Sequence, residues 1–214
     1  MTNFLYPFLE SEERDQDALL ADLAALARAE AAESAALRAS TLAACADRIA
    51  EAGAEIARRF EAGGRMFCFG NGGSSTDAAG LAALFGQPPA GSSLPARSLV
   101  DDQAVLTALG NDVGYELVFA RQIIAHGRPT DIALGISTSG TSRNLLAAFA
   151  EASRRGLLTV GLAGYDGGEM ARSADVAHCL VVRSDSIHRV QEAQAALGYA
   201  LWSAVGEELE AVGV

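Results

Sequence analysis

Two stretches of the chain carry hydroxyl and amide groups in a pattern suited to holding an anion. Residues 66–77 read MFCFGNGGSSTD: the apolar run 66–69, a Gly-rich polar turn, then the opening of an Ala-rich helical pattern. Residues 131–142 read DIALGISTSGTS and repeat that layout, with an apolar run over 132–136, a hydroxyl-rich loop, and a helical pattern from Leu145. Backbone N–H groups and hydroxyls collected at a helix start form an anion site without any cation. A single Gly/Ser turn is ordinary connection chemistry. Two of them imply a shared site, because ligands of open α/β sheets bind outside the carboxyl ends of the strands, where such loops lie side by side. Neither stretch is a P-loop, since the GxxxxGK[ST] lysine is missing, and no GxGxxG dinucleotide fingerprint follows either strand.

The elements that must position these loops follow from periodicity and turn chemistry. The continuous apolar runs predict strands buried on both faces, as in a parallel sheet. Further strands are expected over 96–100, 158–163 and 177–182, with helices over 101–110, 145–155 and 187–210. Residues 88–93, with two prolines and a Gly-Ser-Ser run, mark a surface loop, while 111–114 (NDVG) and 165–168 (YDGG) read as turns. Alternating strands and helices of this kind indicate an α/β fold, a doubly wound and mainly parallel sheet. Residues 11–61 are dominated by Ala, Leu, Glu and Arg and read as two long helices with a break near 33–40. Their apolar faces exceed what one sheet layer needs, so a helical extension over 1–62 is expected to assemble subunits, with 63–214 as the sheet-bearing domain.

Composition bounds the function classes. The 214 residues suffice for a sizeable core. A net charge of −11 without a basic stripe argues against nucleic acid. No run of eighteen or more apolar residues and no leader-like N-terminus is present, which predicts a cytoplasmic protein without a membrane span. Cys45, Cys68 and Cys179 are widely spaced in apolar or Ala-rich sequence and are expected to be reduced, buried and structural.

At this point several motifs, in order, resemble one family: GNGGS at 70–74, GND at 110–112, GISTSGTS at 135–142, GYDGGEMA at 164–171 and RVQE at 189–192. Together they resemble the sugar isomerase (SIS) domain, and more narrowly its sedoheptulose-7-phosphate isomerase, or phosphoheptose isomerase, branch, from about residue 30 to the end. The resemblance implies phosphate binding by Ser74, Ser137, Thr138, Ser139 and Ser142, and contacts to the sugar from Asn71, Asp112 and Gln191. It implies a phosphorylated sugar such as sedoheptulose 7-phosphate as ligand and a homo-oligomer, a tetramer, as the assembly.

The catalytic half of the resemblance does not carry over. Ketose–aldose isomerisation needs a base over adjacent carbons, a donor for the oxygens and, in this branch, a bound zinc. The family's His and Glu on the helix after GNGGS are Gly80 and Leu84 here, and its His eight residues after the glutamine of the last helix is Tyr199. A glutamine alone does not hold zinc, leucine cannot transfer a proton, and a phenol is a poor base at neutral pH. The expectation is therefore a phosphosugar-binding SIS protein without metal or cofactor, acting as a sensor or adaptor. The alternative is an active isomerase in which His188, Glu192 or Tyr199 supplies acid–base chemistry; Asp77, in the first turns of its helix, is a further carboxylate near the pocket.

Overall fold

The computed structural model of the chain describes residues 16–211. Two compact units divide it at Ala36/Leu37. A single helix, α1, runs from Gln16 to Glu61. Its first part exposes Leu19, Leu20, Leu23 and Leu26. No break occurs near 33–40, contrary to the sequence expectation. That segment, ESAALRAS, contains no Gly or Pro, and its Ala, Leu and Arg are strong helix formers, so nothing in it stops propagation.

The second unit is built on five parallel strands: β1 (Met66–Gly70), β2 (Ala96–Ser98), β3 (Ile132–Ser137), β4 (Leu158–Gly164) and β5 (His178–Val182). Their order is β2-β1-β3-β4-β5. The chain moves outward from β1 to β2 and then returns past β1 to β3, so the direction of winding reverses between β1 and β3. Open α/β sheets take ligands at such a reversal. The helices are α2 (Gly73–Gly86), α3 (Gln103–Asp112), α4 (Val118–His126), α5 (Arg143–Arg154) and α6 (Ile187–Ala211).

Alternation along β1 assigns the two faces. Met66 and Cys68 point into a layer formed with α2, α6 and residues 45–60 of α1, where Ile56, Phe85, Leu197 and Leu201 are buried. Phe67 and Phe69 point into the opposite layer with Phe119 and Ile123 of α4 and Phe149 of α5. Both faces being covered is what the unbroken apolar runs require. Gly135 of β3 makes room on the second face: a Cβ there would lie 2.6 Å from the Phe149 ring and 2.9 Å from Phe69. Those rings, with centroids 5.3 Å apart, fill the space instead.

The amino ends of β1 and β3 are tied by Asp131, which has no exposed surface. Its carboxylate accepts from the Arg65 backbone N–H at 2.8 Å, from Arg65 Nη2 at 2.9 Å and from the Arg128 N–H at 2.9 Å. All three cysteines are buried and unpaired by disulfide. Burial pushes the Cys68 thiol far above its ordinary range and Cys179 up to about 11, which keeps both protonated and unreactive.

Helix α4 and the 3-10 turn Tyr115–Leu117 before it were not expected from sequence. They occupy the segment between the 111–114 turn and the β3 strand. Asp102, rather than Asp101, begins α3, its side chain accepting from the Val105 N–H. No described helix is long and apolar enough to cross a membrane.

Candidate functional site

The loops after β1 and β3 are neighbours because Gly70 pairs with Ile136 in the sheet. The first loop turns sharply: Gly72 precedes α2 at φ 56°, a conformation open to glycine, and Ser75 Oγ donates to the Gly72 carbonyl at 2.6 Å. Nothing larger fits at Gly70, where a Cβ would lie 2.4 Å from the Ser74 carbonyl oxygen. Ser74 is buried in the first turn of α2.

In the second loop, Ser137 ends β3 and its hydroxyl anchors the turn. Ser137 Oγ accepts from the Gly140 N–H at 3.1 Å and lies 3.3 Å from Ser142 Oγ and 3.4 Å from Ser139 Oγ. Thr141 donates to Ser139 Oγ through both its N–H, at 3.3 Å, and its hydroxyl, at 3.1 Å. Ser142 occupies the N-cap position of α5, yet its side chain makes no capping bond. The hydroxyl faces the loop instead. Three serine hydroxyls thus converge within one turn, beside the N-termini of two helices.

Gly140, at φ 65°, lets this loop close against the next one. A Cβ there would lie 2.1 Å from the Gly167 carbonyl oxygen, and the Met170 N–H donates to the Gly140 carbonyl at 2.9 Å. The GYDGGEMA turn therefore braces the serine loop from behind.

Asn71 forms a reciprocal amide pair with the buried Asn144, both bonds at 2.9 Å, and its Oδ1 also accepts from the Tyr115 hydroxyl at 3.0 Å. That cluster ties the two loops to each other across β1 and β3. Asp112 is exposed at the end of α3, accepting from Asn111 Nδ2 at 2.8 Å.

Next to the loops, α2 and α6 flank a cleft of about 270 Å³ whose lining includes Asp77, Gly80, Leu84, Gln194 and Tyr199. Gln191 lies across the start of α2, so close that a Cβ on Gly73 would sit 2.2 Å from its Nε2, and it shares a hydrogen bond with Asp77. Burial raises the Asp77 carboxyl above its ordinary value, and the Gln191 bond offsets part of that rise. Gln194, 1% exposed, donates from Nε2 to the Ser137 and Leu162 carbonyls at 3.2 and 3.1 Å. Asp77 Oδ2 and Gln194 Oε1 are buried and without a hydrogen-bond partner. Leaving such an acceptor unsatisfied costs about 1–3 kcal/mol.

The three acid–base candidates read from sequence separate in space. Tyr199 lines the cleft, its ring 5.2 Å from Trp202. His188 is exposed at the start of α6, and Glu192 is exposed one turn on, bonded to Arg189 Nη1 at 3.2 Å. Neither is among the residues that line the cleft. Asn144, Tyr115 and Gln194 were missed in the sequence. Gln194 was within reach of sequence reasoning, since it follows Gln191 by three positions and so shares its helix face.

A zinc ion would need nitrogen, sulfur or carboxylate donors, usually three or four of them. Gly80 and Leu84 bring none to the cleft, and Asp77 is the one carboxylate lining it. Among the described residues, no three His, Cys, Asp or Glu side chains come together as a metal-binding group. This donor set does not fit zinc.

A SIS domain model matches residues 31–164. The chain belongs to the SIS domain family. Within that family it resembles the phosphoheptose isomerases: it is 46% identical over 151 residues to the phosphoheptose isomerase of Sulfurimonas denitrificans, covering 68% of this chain and 74% of that protein. The Rhodospirillum rubrum phosphoheptose isomerase is 40% identical over 171 residues, 77% of this chain and 88% of that one. The solved structure of phosphoheptose isomerase GmhA from Neisseria gonorrhoeae superposes with a TM-score of 0.79 at 31% identity, covering 86% of this chain and 99% of that chain. That from Francisella tularensis gives 0.78 at 30% identity, over 84% and 96%. The doubly wound α/β architecture expected from sequence is the one these SIS structures share.

Proposed function

We propose that this SIS protein binds a phosphorylated sugar of the sedoheptulose 7-phosphate class and does not isomerise it through zinc, serving instead as a sensor or adaptor that reports the ligand. The observation that carries the reading is the contrast between convergent hydroxyls in the loops and the missing metal donors in the adjoining cleft. Ser74 and the Ser137, Thr138, Ser139, Ser142 loop supply the phosphate with neutral donors, supported by the N-termini of α2 and α5. Asn71, Asp112 and Gln191 are the residues assigned to the sugar. The phosphoheptose isomerase relatives make a heptulose phosphate the first ligand to try. The helical extension over residues 1–62 is assigned to subunit assembly, with a cytoplasmic homotetramer as the expected form.

A second reading, a working ketose–aldose isomerase on the same sugar phosphate, is favoured by the 40–46% identity to phosphoheptose isomerases. It requires a substitute base. Tyr199 and Asp77 line the cleft, whereas His188 and Glu192 do not.

Isothermal titration with sedoheptulose 7-phosphate, on the full chain and on Ser139→Leu, tests the binding claim. Saturable binding that the substitution removes is the expected result. Equal affinity in both proteins would overturn the placement of the phosphate.

A further inference from the structure

The amino-terminal end of the sheet gathers positive charge in a chain whose net charge is −11. Phe67 of β1 pairs in register with Arg97 of β2, so both side chains stand on the same face of the sheet. The guanidinium carbons of Arg97 and Arg65 lie 5.0 and 5.4 Å from the centroid of the Phe67 ring. Both arginines line a cavity of about 160 Å³, together with Phe67, Met66, Pro95 and Ala96. Stacking on a ring uses the flat face of a guanidinium and leaves its in-plane N–H groups for an acceptor. Arg65 spends part of that set: Nε donates to Asp131 at 3.4 Å, and Nη2 donates to Asp131 at 2.9 Å and to the His126 carbonyl at 2.7 Å. Its Nη1 is left over. Arg97 is exposed, and among the described residues no carboxylate forms an ion pair with it, although Asp101 lines a neighbouring cavity with it. His126, at the end of α4, is held below its ordinary value by burial and then by the positive charges of Arg97 and Arg65.

We propose that Arg97 and the uncommitted Nη1 edge of Arg65 form a binding site for a small oxyanion such as inorganic phosphate, at the opposite end of β1 from the serine loops. The site is independent of the phosphosugar reading above. A guanidinium presents its N–H groups as a planar fork that matches an oxyanion, and two of them border this cavity. Asp131 already balances Arg65, so the charge left to attract a ligand is that of Arg97. The cavity walls carry no hydroxyl or amide side chain that could read a sugar. The ligand is therefore the bare oxyanion. An anion seated there offsets the repulsion between two guanidiniums that share one ring, and it removes the field that His126 feels from them.

The test is NMR of the histidine imidazoles on the full chain, which has only His126, His178 and His188 to assign. Inorganic phosphate is titrated into the wild type, with sodium chloride at matched ionic strength as the control. The same titration on Ser139→Leu keeps phosphate bound at the serine loops from contributing. The His126 signals should shift to saturation with phosphate and not with chloride, in both proteins, and the pH midpoint of His126 should rise when phosphate is bound. Arg97→Gln should weaken that phosphate affinity at least about tenfold, the scale of one hydrogen bond to a charged group. A His126 shift that chloride reproduces, or one that never saturates, would overturn the site, as would unchanged affinity in Arg97→Gln. The comparison of phosphate with chloride needs no variant. Failure here leaves the serine loops untouched, because their test is calorimetry with a sugar phosphate.

Discussion

The loop end of the site and the cleft beside it share helix α2, yet they make opposite demands. At the loops the side chains are neutral hydroxyls, held by the sheet register at Gly70 and Ile136 and by glycines that let the turns close. In the cleft the positions that would carry a metal are Gly80, Leu84 and Tyr199, and the polar side chains lining it are those of Thr76, Asp77, Gln194 and Tyr199. The proposed phosphate binding needs only a rigid scaffold of small residues, such as these two loops form. Proton transfer at carbon needs particular titrating groups at particular distances, and no amount of scaffold substitutes for them. On the proposed function, binding and chemistry are separable parts of one site.

The sharpest way to break that contrast is to put the chemistry back. A triple variant, Gly80→His with Leu84→Glu and Tyr199→His, restores the side chains that the resemblance implies for zinc. Gly80 has open space around an added Cβ, so a side chain there meets no wall. The variant is expected to bind one zinc per subunit by elemental analysis and to convert sedoheptulose 7-phosphate where the parent does not. Next in size is Ser139→Leu, which removes hydroxyl contacts to a charged ligand and should weaken phosphosugar binding roughly a hundredfold, about 3 kcal/mol by titration calorimetry.

A change at the far end of the sheet sharpens the comparison from the other side. Asp131→Ala strips a fully buried carboxylate of its role in bonding Arg65 and the Arg128 N–H. It should cost about 3 kcal/mol in denaturant unfolding while the affinity for ligand stays within twofold of the parent. The smallest effect is a pH dependence at Asp77. Its folded carboxyl titrates above its ordinary 3.8, so the native state keeps the proton longer than the unfolded chain does. The stability this gives is full below the unfolded value and is lost as pH rises through the folded one. The wild type should accordingly lose stability relative to Asp77→Asn over that rise, read as the difference in melting temperature between the two proteins across a pH series.

Much of the fold was written in local pattern. The run 66–69 is apolar at every position because β1 is buried on both faces, and the repeat of strand, polar turn and helix at 131–142 is the pattern that sets the two loops side by side. Helix α4 escaped because it has only nine residues and sits between the 111–114 turn and Pro129, where turn signals dominate the segment. The expected break in α1 near 33–40 has no Gly or Pro to enforce it, and the helix runs through. The site was legible where its chemistry is local, in the serines of one loop. It was not legible where it depends on contacts across the chain: the Asn71–Asn144 amide pair spans 73 residues, and the hydrogen bond between Asp77 and Gln191 joins two helices far apart in sequence. His188 looked useful because an imidazole is a common base, but periodicity places a residue on a helix face and does not say whether that face meets a cleft.

The measurement that bears most directly on the separation of binding from chemistry is carbon-13 NMR of labelled sedoheptulose 7-phosphate incubated with saturating protein, run both metal-free and with added zinc. The account predicts ligand resonances that broaden or shift on binding while the ketose carbons persist unchanged in both samples. Appearance of aldose carbons, in either sample, would contradict it and make the cleft an isomerase centre.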